Sequence, residues 1–144
     1  PMAAINWNQS KTYCETWRGA RLPTEAEWEK AARGTDGRDF PWGNGFDCSL
    51  ANHSGCVGDT APVHQYDKGQ SVYGVYGMSG NVWEWTSSNL RNYADENKEM
   101  AQGKVIRGGA YDAPSHRATA TYRGVLPPDR LRDKTGFRLV RDVK

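Results

Sequence analysis

The sequence predicts an α+β fold, in which two helices precede a small twisted antiparallel sheet and long loops. Helical periodicity is confined to the first 34 residues, whereas short alternating segments follow residue 70. Between them, residues 35–69 are rich in Gly, Asp, Pro and Asn, which is typical of loops. A length of 144 residues suits one domain with a buried core, and 37% hydrophobic residues exclude a disordered chain.

Two helices are predicted at the start of the chain. The first has Asn8 as its N-cap and ends near Trp17. The second has the clearest start signal, because Thr24 can cap it and Glu27, three residues later, can complete a capping box. Gly34 suits the end of this helix.

The later part of the chain predicts short strands. Alternation over residues 81–86 places Trp83 and Trp85 on one face of a strand. The polar residues 87–103 are predicted to form an exposed excursion. Further strands are predicted at residues 105–111, about 117–123 and 136–140, with a bend at 127–129.

The net charge of +2 is unevenly distributed, since residues 104–144 carry 10 Lys or Arg and 4 Asp or Glu. This excess favours an anionic partner, although a solvated face of scattered arginines would look the same. A nucleic-acid partner is not expected, because there is no dense basic run or nucleic-acid-binding motif. No apolar run reaches the roughly 20 residues of a membrane helix. No signal peptide is visible, so the cytoplasm is favoured, and residues 1–144 are expected to be one domain of a longer protein.

The three cysteines leave the compartment open. Cys14 falls in the first predicted helix and is expected to be a small buried residue. Cys48 and Cys56 can form a disulfide or remain thiols in a reducing compartment. No second cysteine pair or nearby histidine array completes a zinc site, so none is predicted.

Five sequence blocks span nearly the whole chain. They are RLPTEAEWEKAARG at 21–34, PWGN at 41–44, YGMSGNVWEW at 76–85, RGGAY at 107–111 and GFRLV at 136–140. In type and order these blocks resemble the formylglycine-generating enzyme, or sulfatase-modifying factor, family. The resemblance implies a C-type-lectin-like fold, in which a small sheet and two helices support long loops. Because this fold hosts several functions, the fold alone does not decide the function.

The resemblance also locates the catalytic positions of the family. Its oxidase members convert a substrate cysteine to formylglycine with copper held by two cysteines, and these positions are Ala113 and Ala118 here. Neither alanine supplies the thiolate that Cu(I) prefers. Related sulfoxide synthases bind iron mainly through histidines of another domain. We therefore expect no enzyme activity, copper or iron, the alternative being an accessory domain of a metal-dependent oxidase or sulfoxide synthase.

Structural calcium is a further implication of the resemblance. The implied ligands are Gly80, Val82 and Glu84 in one site and Asn52 and His53 in a second. Gly77 stands where the family often has Asn or Asp, which removes a donor from an ion that takes about 6–8 oxygens.

Residues 111–135 lie between two of the family blocks and are predicted to form a binding surface. The expected contacts are Tyr111, Asp112, Ser115, His116, Arg117, Thr119, Thr121, Arg123, Val125, Leu126, Arg130 and Arg132. A chemically varied segment between rigid flanks suits binding, and a similar arrangement occurs in variable proteins of diversity-generating retroelements. The predicted function is a non-catalytic ligand-binding module, with a protein as ligand, a glycan as an alternative ligand, and other domains of its parent protein as partners.

Overall fold

A computed structural model describes residues 1–17, 19–92 and 95–143, without the side chains of residues 17, 91–92 and 95–102. The helices are α1 (Trp7–Thr12), continued by a π-helical turn (Tyr13–Trp17), and α2 (Glu25–Arg33). The strands are β1 (Trp83–Asn92), β2 (Asp95–Arg107), β3 (Gly124–Leu126) and β4 (Thr135–Phe137). Short 3₁₀ turns cover Asp67–Gly69 and Ser115–Arg117. The predicted α+β class is confirmed.

The N-cap of helix α1 lies two residues before the predicted one. Asn6, not Asn8, is the N-cap: the Gln9 backbone N–H donates to Asn6 Oδ1 at 2.9 Å. The Asn6 N–H donates to Gln9 Oε1 at 3.1 Å, which completes a capping box. The prediction of Asn8 was wrong because Asn6 already has the extended backbone that a cap requires.

Helix α2 matches its prediction. The Glu27 N–H donates to Thr24 Oγ1 at 3.2 Å, and the Thr24 N–H donates to Glu27 Oε2 at 2.8 Å. Gly34 is the C-cap residue, with a φ of 70° that favours glycine. The helix buries Trp28 and Ala32 against the rest of the fold.

The sheet is mixed, with the strand order β3-β2-β1-β4. Strands β1 and β2 pair antiparallel, but β4 runs parallel to β1, with Trp83 opposite Thr135. Two of the three strand pairings are thus antiparallel, as predicted, and the third, between β1 and β4, is parallel. Strands β1 and β2 also continue through most of residues 87–103, so the predicted excursion has a paired, extended backbone.

Residues 117–123 do not form the predicted strand. The Ala118 carbonyl accepts a hydrogen bond from Ser79 Oγ at 2.8 Å. Those of Ala120 and Thr121 accept hydrogen bonds from Arg107 at 2.8 and 3.2 Å. Side chains therefore occupy the backbone acceptors that a neighbouring strand would need.

The core lies on both sides of β1 and β2. Trp83 and Trp85 share one buried cluster, as their predicted common face requires. Cys14 belongs to the same cluster, and burial raises the pKa of its thiol, so it is the predicted inert buried residue. The second cluster contains Trp28, Ala32, Met78 and Ala120. No helix in the described ranges is long and apolar enough to cross a membrane.

Several loops meet where the chain enters β1. The Asn81 N–H donates to the Asn52 carbonyl at 2.7 Å, and the Asn81 carbonyl accepts from the Tyr111 N–H at 2.9 Å. Gly80 approaches Asn52 so closely that a Cβ on Gly80 would lie 2.1 Å from the Asn52 carbonyl oxygen. This crossing fixes the loops that carry the candidate sites.

Candidate functional site

A small pocket, named the Ala113 pocket here, opens beside β1, β2 and β3. Its volume is about 190 Å³. Its walls are Trp83, Ile106, Ala113, Pro114, Tyr122, Gly124 and Val125, and its polar rim is Asp112, Arg117 and Arg132. Strands β1 and β2 thus form one site with three parts of the predicted binding region, at 112–117, 122–125 and 132.

Of the two positions that the family resemblance singles out, only Ala113 lines this pocket. The Ala113 N–H donates to the Ala110 carbonyl at 2.9 Å, and the Ala113 carbonyl accepts from the Ser54 N–H at 3.0 Å. Ala118 is fully buried behind the pocket, against Gly109. Both side chains are methyl groups, so the pocket contains no thiolate at these positions.

The rim of the pocket carries unbalanced positive charge. Arg117 and Arg132 are both exposed, and neither forms a salt bridge with an acid in the described ranges. The Arg117 guanidinium lies 6.0 Å from the centroid of the Tyr122 ring, which limits its freedom. Asp112 accepts a 2.6 Å hydrogen bond from Lys134 Nζ, which raises the pKa of Lys134 and keeps it charged. The acid of the rim is therefore already paired, whereas its two guanidiniums are not.

Four of the predicted ligand contacts line the pocket: Asp112, Arg117, Val125 and Arg132. Arg123 has a different role, because its Nη2 donates to Glu25 Oε2 at 2.7 Å and joins β3 to helix α2. Leu126 packs against the first core cluster. The remaining predicted contacts do not line the pocket: Tyr111, Ser115, His116, Thr119, Thr121 and Arg130.

The pocket also contains residues that the sequence did not single out as ligand contacts. These are Trp83, Ile106, Pro114, Tyr122 and Gly124. Trp83 and Ile106 occupy inward-facing positions of their strands, as core residues do. The neighbouring sequence does not show whether such a residue lines a pocket or packs inside the core. Tyr122 is the residue of this set that the sequence could have identified as a ligand contact, because it lies inside the predicted segment and aromatic side chains are common in binding pockets.

Glu84, an implied calcium ligand, is bound by protein donors. Glu84 Oε2 accepts from Trp28 Nε1 at 2.6 Å and from Arg138 Nε at 2.6 Å, and Oε1 accepts from Arg138 Nη2 at 2.7 Å. Arg138 Nη2 also donates to the carbonyls of Tyr76 and Gly77, at 3.1 and 3.3 Å. Burial lowers the pKa of Arg138 but the Glu84 charge raises it, with a net upward shift.

The positively charged guanidinium of Arg138 thus occupies the place of a calcium ion, because it binds the oxygens that the ion would need as ligands. Gly80 and Val82, the other implied ligands, are buried in the adjacent turn. These residues do not fit a calcium ion while Arg138 holds the carboxylate. Calcium at Glu84 stays a prediction, and the ion would have to displace the half-buried guanidinium of Arg138 from the carboxylate.

The second implied calcium site has a similar problem. Asn52 is buried, and its Nδ2 donates to the Asp59 carbonyl at 2.7 Å. The side-chain oxygen of Asn52 faces the Val57 N–H at 3.4 Å. Because the Asn52 amide orders its own loop, calcium there also stays a prediction.

This loop contains a cluster that the sequence analysis did not expect. Cys48 and Cys56 form a disulfide. The two sulfurs and one ring nitrogen of His53 all lie within 4.8 Å of one another. Burial lowers the pKa of His53, and its Nδ1 is buried without a hydrogen-bond partner among the described residues. The spacing argument against a zinc site overlooked His53 because it considered arrays of histidines and not one histidine inside the loop.

The fold and the Ala113 pocket define a sulfatase-modifying-factor type of domain with alanines at the two cysteine positions. The protein-family model described as the sulfatase-modifying factor enzyme 1-like domain matches residues 1–143. The chain therefore belongs to this family, which confirms the resemblance.

Curated relatives include inactive and active proteins. The chain is 38% identical over 151 residues to the inactive C-alpha-formylglycine-generating enzyme 2 of Bos taurus, with 96% of this chain and 49% of that protein covered. It is 34% identical over 168 residues to the formylglycine-generating enzyme of Mus musculus, with 99% of this chain and 44% of that protein covered. It is 35% identical over 162 residues to the hercynine oxygenase of Mycolicibacterium smegmatis, covering 99% and 38%. The chain thus spans about half, or less, of the length of these relatives.

Solved structures confirm the fold. PvdO of Pseudomonas aeruginosa superposes with a TM-score of 0.82 at 27% identity, over 96% of this chain and 60% of that chain. Treponema denticola variable protein 1 gives a TM-score of 0.82 at 21% identity, over 96% of this chain and 70% of that chain. The latter likeness establishes the fold alone.

Proposed function

We propose that the chain is a non-catalytic binding module whose Ala113 pocket takes an acidic group of a protein ligand. One observation carries the proposal: a small pocket is flanked by two exposed guanidiniums with no acidic partner in the described ranges. By family resemblance, this pocket lies where oxidase members hold copper. A binding function would reuse the cleft after loss of its thiolates.

The dimensions and the chemistry of the pocket favour a side chain over a larger ligand. Its volume of about 190 Å³ lies below the range of roughly 300–1,000 Å³ that is typical of cofactor and drug-sized ligands. Trp83, Ile106 and Val125 offer apolar walls for a short aliphatic stem. Arg117 and Arg132 offer planar donors that pair with a carboxylate through two hydrogen bonds each.

The test is a selection from a random peptide display library on the purified protein, read by sequencing. We expect enrichment of peptides with Asp or Glu next to an apolar residue, and weaker binding at high salt because exposed charges are screened. Replacing both rim arginines, Arg117→Ala with Arg132→Ala, should weaken binding roughly 10- to 100-fold in total, because both side chains are exposed and partly screened by solvent. Arg130→Ala is the matched control, since Arg130 is exposed in the same segment but does not line the pocket. Enriched peptides without acids, or equal binding by all variants, would refute the acidic-group proposal.

We further propose that residues 111–135 tolerate diversification, as in retroelement variable proteins. The rim residues Asp112, Arg117 and Arg132 are exposed, whereas the flanking Gly109 and Gly136 are buried. Sequencing this gene from many individuals of its population tests the idea. Substitutions should concentrate at the rim and spare the flanks, and an invariant segment would exclude diversification while leaving the binding proposal intact.

The second candidate is an accessory domain whose metal ligands lie on another domain, and the partial match to hercynine oxygenase favours it. The full-length gene distinguishes the candidates. A fused helical domain with a histidine array would support the accessory role, and its absence would exclude this role.

A further inference from the structure

We propose that Cys48, His53 and Cys56 form a redox-gated zinc site, which binds Zn²⁺ when the disulfide is reduced and is closed when it is oxidised. The two states exclude each other, because the same sulfur atoms form either the disulfide or the bonds to the metal. The site is separate from the Ala113 pocket and from the implied calcium site at Glu84. It shares His53 with the second implied calcium site, where an oxygen of that residue, and not its ring nitrogen, would be the ligand.

The geometry requires little movement. The three potential ligand atoms already lie within 4.8 Å of one another. Ligands on a tetrahedral zinc ion are ~3.5–3.8 Å apart, as follows from Zn–S bonds of ~2.3 Å and Zn–N bonds of ~2.0 Å. Once the disulfide is broken, side-chain rotations suffice to place two sulfurs and one nitrogen at these distances. Three protein ligands leave the fourth position to a water molecule.

The loop is held in place without the disulfide. Asn52 Nδ2 bonds the Asp59 carbonyl at 2.7 Å and so closes the loop around Cys56. The Ser54 N–H donates to the Ala113 carbonyl at 3.0 Å, which ties the loop to the rest of the domain. The Leu50 N–H donates to the Asp47 carbonyl at 3.1 Å and so closes the turn that contains Cys48. We expect both cysteines to stay near His53 after reduction, so that the metal finds a partly ordered site.

The His53 ring is fixed and lacks a polar partner. Its centroid lies 3.7 Å from that of Phe46, in an edge-to-face contact. Its Nδ1 is buried with no hydrogen-bond partner in the described part of the chain. A metal-bound histidine uses one ring nitrogen as the ligand. Because Nδ1 of His53 has no hydrogen-bond partner among the described residues, its lone pair is available to bind the metal.

Opening the site needs two electrons. A water-soluble phosphine supplies them: it takes oxygen from one water molecule, becomes a phosphine oxide, and the two protons of that water convert the broken S–S bond into two thiols. Cys48 is exposed, so the reductant can reach the disulfide. Zinc then replaces both thiol protons, which pass to solvent, and two thiolates bind the ion.

The experiment compares oxidised and phosphine-reduced protein under anaerobic conditions, after removal of the phosphine by gel filtration. Zn²⁺ is titrated against a chromophoric chelator, and Co²⁺ is used as a spectroscopic probe. We expect one Zn²⁺ per reduced chain, none on the oxidised chain, and thiolate-to-cobalt charge-transfer absorption in the reduced form alone. Absent binding in the reduced chain, or equal binding in both forms, would overturn the proposal.

The decisive variant is His53→Gln, which leaves the disulfide intact. Because even loss of an outer-shell partner weakens metal binding roughly 10- to 100-fold, loss of this ligand should cost at least tenfold in zinc affinity. His64→Gln is the matched control, since His64 is exposed on a different loop and should leave the affinity unchanged. Cys48→Ser should abolish binding, and circular dichroism shows whether it folds. Unchanged affinity in His53→Gln would refute the three-ligand site.

Discussion

At the scale of single residues, Arg138 decides how the site around Glu84 is stabilised. The Glu84 side chain is 9% exposed and the Arg138 side chain 23%, so each depends on the other for compensation of its charge. Removing one member of a buried ion pair leaves the other uncompensated, which costs more than the pair contributes. The pair therefore holds β1 to the segment after β4.

We predict that Arg138→Ala lowers the free energy of unfolding by about 3 kcal/mol and makes the protein responsive to calcium. The variant frees the Glu84 carboxylate and the Gly77 carbonyl, so Ca²⁺ should raise its melting temperature more than that of the wild type. Urea unfolding gives the first quantity, and thermal unfolding with Ca²⁺ or a chelator gives the second. Arg130→Ala, on an exposed site, should change neither. A wild type that responds to Ca²⁺ as strongly as the variant would show that Arg138 does not compete with the ion.

At the scale of elements, helix α2 begins with a charged cap. Hydrogen bonds from Arg21 lower the pKa of Glu27 to about 2, below its ordinary value of 4.5. Burial opposes this shift, and hydrogen bonds from Thr24 add to it. The folded chain thus binds this proton more weakly than the unfolded chain does. The stabilisation by Glu27 is present above pH 4.5 and is lost as the pH falls from 4.5 to 2.

We therefore predict a smaller acid-induced loss of stability in Glu27→Gln than in the wild type over this pH range. The variant is less stable near neutral pH, because it lacks the carboxylate of the cap, and the two free energies of unfolding converge towards pH 2. Urea unfolding at a series of pH values measures this difference. Parallel pH profiles for the two proteins would mean that Glu27 does not contribute as its surroundings indicate.

The elements differ in how far the sequence could predict them. The Thr24 cap of α2 is a local interaction within four residues, and its sequence signal was sufficient. Asn6 and Asn8 are both residue types that suit the cap of α1, so the local sequence did not distinguish them. Trp7, which lies between them, has a distant partner: its Nε1 donates to the Thr86 carbonyl at 2.8 Å. Likewise, the failed strand at 117–123 depends on the distant Arg107. Signals in the local sequence do not reveal contacts between residues that are this far apart in the chain.

At the scale of the whole molecule, the candidate site shows the same limit. The family blocks and the absence of cysteine at Ala113 could be read from the sequence, as could the region of the rim arginines. The juxtaposition of Trp83 with Arg132 could not, because it arises when β4 packs parallel to β1. The structural role of Arg123 was equally hidden, since its partner Glu25 lies 98 residues away.

The two ends of the chain are coupled across the sheet. A Cβ on Gly136, in β4, would lie 2.2 Å from the Met2 carbonyl oxygen. We predict that Gly136→Ala destabilises the full chain by about 1–3 kcal/mol through this overpacking. In a chain that begins at Ala3 the same substitution should cost less, because the obstructing carbonyl is gone. Urea unfolding of the four proteins gives the coupling energy, and additive effects would contradict the predicted contact.

The pairing of early with late residues has a consequence for synthesis on the ribosome. Trp7 donates its backbone N–H to the Pro128 carbonyl at 3.1 Å, and Arg21 exchanges two backbone hydrogen bonds with Val140. At about 5–20 residues per second, Trp7 is made on the order of 10 s before its partner exists. The first helix therefore emerges with its apolar side chains uncovered, and the domain closes only when its last strand leaves the exit tunnel. Nascent chains that stall before β4 should be substrates for chaperones and proteases.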